Sequence, residues 1–330
     1  MNASLLMFIM LGLALFFAFL NGFHDSANVV ATIISSRAMS PRGALAMAAI
    51  AEFAGPFIFG VAVATTIGNE VVQAESITIQ VVMAVLLSAG LWNLLTWLLG
   101  LPSSSSHALI GGLVGAVVVS SSLSAIRAAG LIKVVAALFL SPLVGFIIGA
   151  IIMYLLIWLT KDATPAANIF FKFGQVPTAL ALALSHGAND AQKTIGIITL
   201  GLVILGFQSH FYVSWWVVLL NASAISLGTA LGGWRIIRTL GAKFYRVRPI
   251  HSFASQLSSA AVILTSSLLG GPVSTTQVVS SSILGVGAAQ RISQVRWNIL
   301  YEIFLAWFLT IPLTAGLAAL LYLAIKLLIP

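Results

Sequence analysis

Two polar strings stand inside otherwise apolar sequence and return, recast, in the second half of the chain. Asn21-Gly22-Phe23-His24-Asp25 reappears as His186-Gly187-Ala188-Asn189-Asp190, and Pro102-Ser103-Ser104-Ser105-Ser106-His107 reappears as Pro272-Val273-Ser274-Thr275-Thr276-Gln277. The offsets are 165 and 170 residues. In the first pair, Asp25 and Asn28 lie three apart on one helical face and offer hard oxygens to a small cation such as Na+, with Asn189 and Asp190 as the matching set. The second pair joins a proline to a cluster of hydroxyls. Proline opens helices, and the N–H groups of a first helical turn lack intrahelical partners and carry the positive end of the dipole. Two such ends facing each other, with Ser104, Ser105, Ser106, Ser274, Thr275 and Thr276 as further donors, would hold an oxyanion.

The plainer reading is that each aspartate caps the half-helix after it and that the hydroxyls cap and pack helices. Recurrence of both strings in both halves, at membrane depth where polar groups are costly, weighs for a shared buried site. Asn21-Gly22 falls inside an apolar run too long for one straight crossing, so a helix break is expected there. The halves differ at one telling place. Asn28 and Lys193 both follow the paired aspartates by three residues. Lys193 can stand in for a bound cation, contact an anionic substrate directly, or serve as structural partner of Asp190. Glu52 lies inside an apolar span and is a further cation or proton candidate. Glu302, near Arg296 and a span end, reads as an interfacial ion pair.

Composition sets the medium. With 60% hydrophobic and 7% charged residues, the chain falls among multi-spanning membrane proteins and not soluble domains. The absence of cysteine removes disulfides, thiolate metal sites and cysteine nucleophiles. The net charge of +8 sits at the ends of apolar runs, where lipid headgroups and topology account for it; no basic face with interleaved aromatics marks a nucleic-acid binder. An enzyme is not expected. His24, His107 and His186 lie near Ser and Asp, but no Gly-x-Ser-x-Gly or His-Glu-x-x-His pattern is present, and matched pairs of polar groups are unlike a nucleophile and its base.

Apolar runs predict crossings near 4–36, 44–67, 77–100, 102–122 and 132–160, then near 176–206, 212–234, 252–270, 272–290 and 297–328. The expected fold is therefore an all-α polytopic membrane protein of two inverted-topology repeats, with broken helices and a central substrate site. Residues 1–160 form the first repeat, 161–175 a cytoplasmic linker, and 176–330 the second, because an odd count per half inverts the second insertion. Placing both termini outside gathers Arg37, Arg42, Lys161, Lys172, Arg235, Arg238, Lys243, Arg246, Arg248, Arg291 and Arg296 in the cytoplasm, and leaves Arg127, Lys133 and Lys326 outside. That reading takes 102–122 and 272–290 as full crossings. Trp92, Trp97, Trp215, Trp216 and Trp234 are expected as interfacial anchors.

These strings, with Gly233-Trp234-Arg235, resemble the inorganic phosphate transporter (Pit) family over nearly the whole chain. The resemblance implies import of inorganic phosphate by cation-coupled symport with alternating access in the cell (inner) membrane, as a multi-pass protein among lipid, with assembly as a homo-oligomer left open. It implies Asp25 and Asp190 as cation or coupling residues, Glu52 on the second span, and the two Pro-Ser-Ser/Thr strings as the phosphate cradle, with Lys193 a further candidate there. No cofactor is expected beyond the coupling ion: H+, Na+, or a divalent metal carried with phosphate. Many relatives carry glutamate where this chain has Gln256; with Lys193, this leaves fewer free negative ligands and points to protons or metal-phosphate over several sodium ions. A carrier of another tetrahedral oxyanion such as sulfate, or an uncoupled anion channel, is the alternative.

Overall fold

The computed structural model describes residues 2–72, 77–121, 123–237, 247–295 and 297–329. Among these, ten long helices appear, one at each predicted segment: α1 (Ala3–Ser35), α2 (Pro41–Phe59), α4 (Ile79–Leu99), α5 (Ser105–Ser120), α6 (Ala128–Leu159), α7 (Ala167–Ile204), α8 (Trp215–Leu231), α9 (Pro249–Leu268), α10 (Thr275–Arg291) and α11 (Trp297–Leu328), with a single-turn α3 (Ala62–Thr65) after α2. Extended pairing among the described residues is confined to an isolated bridge between Val72 and Ile126. Six helices are long and apolar enough to cross a membrane, and α5 and α8 are shorter apolar ones. The chain is an all-helical, multi-pass membrane protein.

Local chemistry sets the ends. Ser40 accepts the Gly43 N–H at 3.2 Å and Pro41 opens α2. The segment expected at 44–67 stops earlier, at Phe59, because Gly60 takes a positive φ of 79°; a turn of π-helix follows over Thr66–Glu70. The expected linker 161–175 is shorter than its bounds, since α7 already begins at Ala167.

The break expected at Asn21-Gly22 is not there, nor is there one at the matching string His186–Asp190. Helices α1 and α7 run unbroken through both strings. With 33 residues, α1 is about 50 Å long and overshoots a hydrocarbon core of about 30 Å without interruption. The glycines serve approach, not breakage. A Cβ on Gly22 would collide with the Ile225 carbonyl of α8, and one on Gly187 with the Glu52 backbone of α2. Glycine is what lets α1 cross α8, and α2 cross α7, at backbone contact. The chain is interrupted instead at the second pair of strings, 100–104 and 270–274.

Those interruptions turn two expected pairs of crossings into hairpins. The Arg127 N–H donates to the Val71 carbonyl at 2.9 Å, which sets the exit of α5 beside the loop that leads into α4. Gln80, in the first turn of α4, reaches the Ile329 carbonyl past the end of α11 at 3.1 Å. Helices α4 and α5 thus enter from and return to one face. For α9 and α10, Ala254 and Val286 form a buried cluster with Met153 near the end of α6, and Ile250, Ala289, Ile152 and Leu156 pack against it, so this hairpin belongs to the other face. Because their starts meet in the interior, where Ser106 Oγ reaches the Val273 carbonyl, segments 102–122 and 272–290 are return arms, not full crossings. With 16 and 17 residues they span about 24–26 Å, too short for the core. A hairpin leaves the chain on the side it came from, as two crossings do, so the charge segregation is kept. Arg37, Arg42, Lys161, Lys172, Arg248 and Arg291 share one end, and Arg127, Lys133 and Lys326 the other, whereas Arg235 lies beside the tip of the first hairpin, over the Trp97 ring and donating to the Leu98 carbonyl; Arg238, Lys243, Arg246 and Arg296 lie outside the described residues.

Packing partners are exchanged between the halves. α1 lies on α8 and α7 on α2; α5 lies on α11 and α10 on α6; α4 borders α1 and α9 borders α7. The apolar core divides into two main clusters. One gathers Met10, Val63, Ile77, Val117, Leu202 and Tyr322, the other Ile33, Leu45, Ile236, Val247 and Val295. Trp92 belongs to the first of these as a buried residue and is no interfacial anchor, whereas Trp215 and Trp234 are exposed.

Candidate functional site

Both hairpin tips stop at the level of the paired aspartates. Left-handed glycines turn the chain there, Gly100 at φ 68° and Gly270 at φ 73°. Ser104 and Ser274 then act as N-caps, accepting the His107 N–H at 3.1 Å and the Gln277 N–H at 3.3 Å; the His107 ring also meets Ser104 Oγ at 2.7 Å. These two hydroxyl oxygens of the expected cradle are therefore spent on helix starts. The next two residues of each arm face the carboxylates. Ser105 Oγ donates to Asp25 Oδ2 at 3.1 Å, and Thr275 Oγ1 to Asp190 Oδ2 at 2.9 Å, a matched pair. Thr276 Oγ1 reaches across to Asp25 Oδ1 at 3.1 Å, and Ser106 Oγ reaches the Val273 carbonyl at 3.0 Å. The two hairpins, entering from opposite faces, touch at this last contact.

The site is buried and polar. Asp25, Asn28, Glu52, Ser104, Ser105, Ser106, His186, Asn189, Asp190, Lys193, Ser274, Thr275 and Thr276 are all buried. A buried carboxylate needs donors or a cation, and each has them. Asp25 meets His24 Nδ1 at 2.9 Å besides its two hydroxyls. Asp190 accepts from Lys193 Nζ and lies 3.1 Å from His186 Nε2. The other ring nitrogen of His186 is 3.0 Å from Glu52 Oε1, and Thr229 Oγ1 donates to Glu52 Oε2. His186 therefore sits at ion-pair distance from two carboxylates.

Oxygens of Asp25 and Asp190 and a nitrogen of His186 lie within 4.8 Å of one another, close enough to share one metal ion or to bracket a small cation. Of the expected cation set, Asn28 stands beside this group, its Nδ2 donating to Thr276 Oγ1 at 2.9 Å. The Nδ2 of Asn189 donates to Ser267 Oγ at 2.8 Å and to the Gly271 carbonyl at 3.4 Å, which ties α7 to the second hairpin, while its Oδ1, as that of Asn28, is buried with no donor among the described residues. Thr96 plays the same part in the first half, meeting His24 Nε2 at 3.2 Å. Gln256 is buried away from the carboxylates; it accepts from Thr178 and donates to Thr32 and Ser252. A neutral amide thus meets three hydroxyls at the position where the resemblance implies a charge. The side chain of Glu302, with Arg296, lies outside the described residues.

Two contributors escaped sequence reasoning. His186 is the counterpart of Asn21, and that mismatch between halves was a usable signal for a group working with Glu52. Thr229 lies in an apolar span with no pattern around it, and only the fold brings it to Glu52.

The comparisons with known proteins give the family and the fold. The family model described as the phosphate transporter family matches residues 21–318. A probable low-affinity inorganic phosphate transporter of Rhizobium meliloti is 43% identical over 329 residues, 98% of each chain. Its counterpart in Bacillus subtilis is 41% identical over 94% of each. Among solved structures, one titled as the sodium-dependent phosphate transporter matches with a TM-score of 0.90 at 24% identity, covering 98% of this chain and 100% of the other.

Proposed function

Because the chain belongs to the phosphate transporter family, we propose that it carries inorganic phosphate across the cell membrane by symport with a cation, exposing one buried site alternately to the two faces. The observation that carries this reading is the meeting of two helix starts, α5 and α10, directly over the paired carboxylates of Asp25 and Asp190. Main-chain N–H groups of the two first turns supply convergent donors for a tetrahedral dianion, and the hydroxyls of Ser105, Ser106, Thr275 and Thr276, which here donate to the two aspartates and the Val273 carbonyl, join them on turning to the substrate. Phosphate retains a proton near neutral pH and can donate it to a carboxylate, a bond sulfate has no proton to make. The aspartates then balance the charge through a proton, a sodium ion or a divalent metal carried with the phosphate.

The exchange of packing partners, and the entry of the two hairpins from opposite faces, support a chain of two inverted repeats. Such a pair gives each face its own hairpin to withdraw. The basic residues gathered at the 36–42, 160–172 and 248 end support a cytoplasmic position for that end and an outside position for both termini.

Uptake of labelled phosphate into proteoliposomes, under sodium, proton and magnesium gradients imposed one at a time, tests the reading. Accumulation against a phosphate gradient, dependent on one of these and resistant to excess sulfate, is expected. Uptake that only equilibrates phosphate, or that sulfate abolishes, would overturn it.

A further inference from the structure

Asn28 and Lys193 occupy equivalent places in more than sequence. Asn28 Nδ2 donates to Thr276 Oγ1 at 2.9 Å, and Lys193 Nζ donates to Ser106 Oγ at 2.6 Å. Thr276 and Ser106 are themselves the second residues of α10 and α5. Each of the two side chains thus crosses from its own half to the same position on the opposite hairpin.

Their surroundings differ in one respect. The Lys193 ammonium also donates to Asp190 Oδ1 and to the Val273 carbonyl, the latter at 2.8 Å. A carboxylate, a hydroxyl and a main-chain carbonyl, all buried, converge on it: three hard oxygens of the kind that bind an alkali or alkaline-earth cation. Asn28 brings no charge to the matching place. Its Oδ1 is buried and without a hydrogen-bond donor among the described residues. The rest of the asymmetry lies on the same side as Lys193, where Glu52 and His186 stand in contact with the Asp190 group.

We propose that Lys193 is a tethered cation: its ammonium fills, on the second-half side, the coordination position that a free monovalent cation would otherwise take, so that the carrier works with one exchangeable cation fewer than two equivalent halves would need. This rests on reading the site as that of a cation-coupled phosphate carrier. An ammonium and a sodium ion carry the same charge and demand the same oxygen partners. The tether removes the ion from exchange with either face. What remains exchangeable is confined to the first-half side, around Asp25, Asn28 and Thr276.

The test compares wild type, Lys193→Asn and Lys193→Met in proteoliposomes, with sodium varied against choline at constant ionic strength. Lys193→Asn restores an oxygen ligand in place of the tethered charge. Its phosphate uptake should be low without sodium and should climb with one additional power of sodium concentration relative to wild type, about tenfold for each tenfold rise below saturation. Lys193→Met offers neither charge nor oxygen, and its uptake should stay low at every sodium concentration. Thermal melting in detergent gives an independent reading: sodium should raise the melting temperature of Lys193→Asn by more than that of wild type. An Asn variant whose uptake and melting show the wild-type sodium dependence would overturn the proposal, as would a Met variant that transports like wild type. Failure of the wild type to accumulate phosphate in any gradient would instead refute the carrier reading on which the proposal stands.

Discussion

Asp25 and Asp190, from separate long helices, bring carboxylate oxygens to within 4.8 Å of each other, with His186 completing the group. Their supports are unequal. Asp25 is held by hydroxyls and His24, whereas Asp190 is bonded to the Lys193 ammonium. Asp190→Asn strands a buried ammonium and should destabilise the protein by about 3–5 kcal/mol. Asp25→Asn strands no such charge and should fold, while phosphate uptake falls by about 10- to 100-fold, the worth of one or two charge-assisted bonds. Melting and uptake on both variants check this. Adding Lys193→Met to Asp190→Asn should recover most of the lost stability, and a double variant no more stable than the single one would contradict the pairing.

Gly22 and Gly187 are packing residues, not hinges. Gly22→Ala and Gly187→Ala should each lower stability by on the order of 3 kcal/mol, the upper range for overpacking against backbone. Gly12, in the same helix as Gly22 but with open space around it, is the control. Gly12→Ala should be neutral or stabilising by about 0.5–1 kcal/mol. Equal melting temperatures for Gly12→Ala and Gly22→Ala would show that the α1–α8 crossing is looser than described.

Thr229 secures Glu52. Thr229→Val keeps the shape and removes a donor from a buried carboxylate, which should cost about 1–3 kcal/mol. Thr229→Ser keeps the hydroxyl and should cost less than about 1 kcal/mol. Coupling Thr229→Val to Glu52→Leu should be less damaging than the sum of the two, by the logic of a double-mutant cycle. Strict additivity would mean the two side chains do not interact.

The absence of cysteine makes the topology directly readable. Single cysteines at Glu70, Ser121 and Lys326, in intact cells, should react with a membrane-impermeant maleimide. A cysteine at Lys161 should react only after permeabilisation. The reverse pattern would invert the assigned orientation, and mixed labelling of Glu70 and Ser121 would break the α4–α5 hairpin into something else.

Much of this was legible in the sequence, and the reasons for the rest are physical. Apolar run length located every long helix, because the bilayer sets that length. The repeated strings located Asp25, Asp190 and the hydroxyl runs, because groups costly to bury are retained only where they are used. The direction of a helix pair was not legible: charge at the loops is the same whether α4 and α5 cross twice or fold back once. Gly22 read as a break because backbone freedom and lack of a side chain leave the same letter in the sequence, and only the neighbour, Ile225 of α8, says which property is in use. What the amide nitrogen of Asn189 meets was not legible either: successive helical residues point about 100° apart, and it turns to Ser267 while the neighbouring Asp190 meets Lys193.

The glycine-mediated crossings join α1 to α8 and α2 to α7, and the same kind of backbone contact joins α5 to α11 at Gly115 and α10 to α6 at Gly285. Each return arm is thereby welded to the last long helix of the opposite half. If the site is exposed alternately to the two faces as proposed above, an arm and the long helix welded to it move as one body, α5 with α11 and α10 with α6. Substrate held between the starts of α5 and α10 and the aspartates of α1 and α7 would then touch several such bodies at once, and its presence would bear on the stroke itself as well as on occupancy.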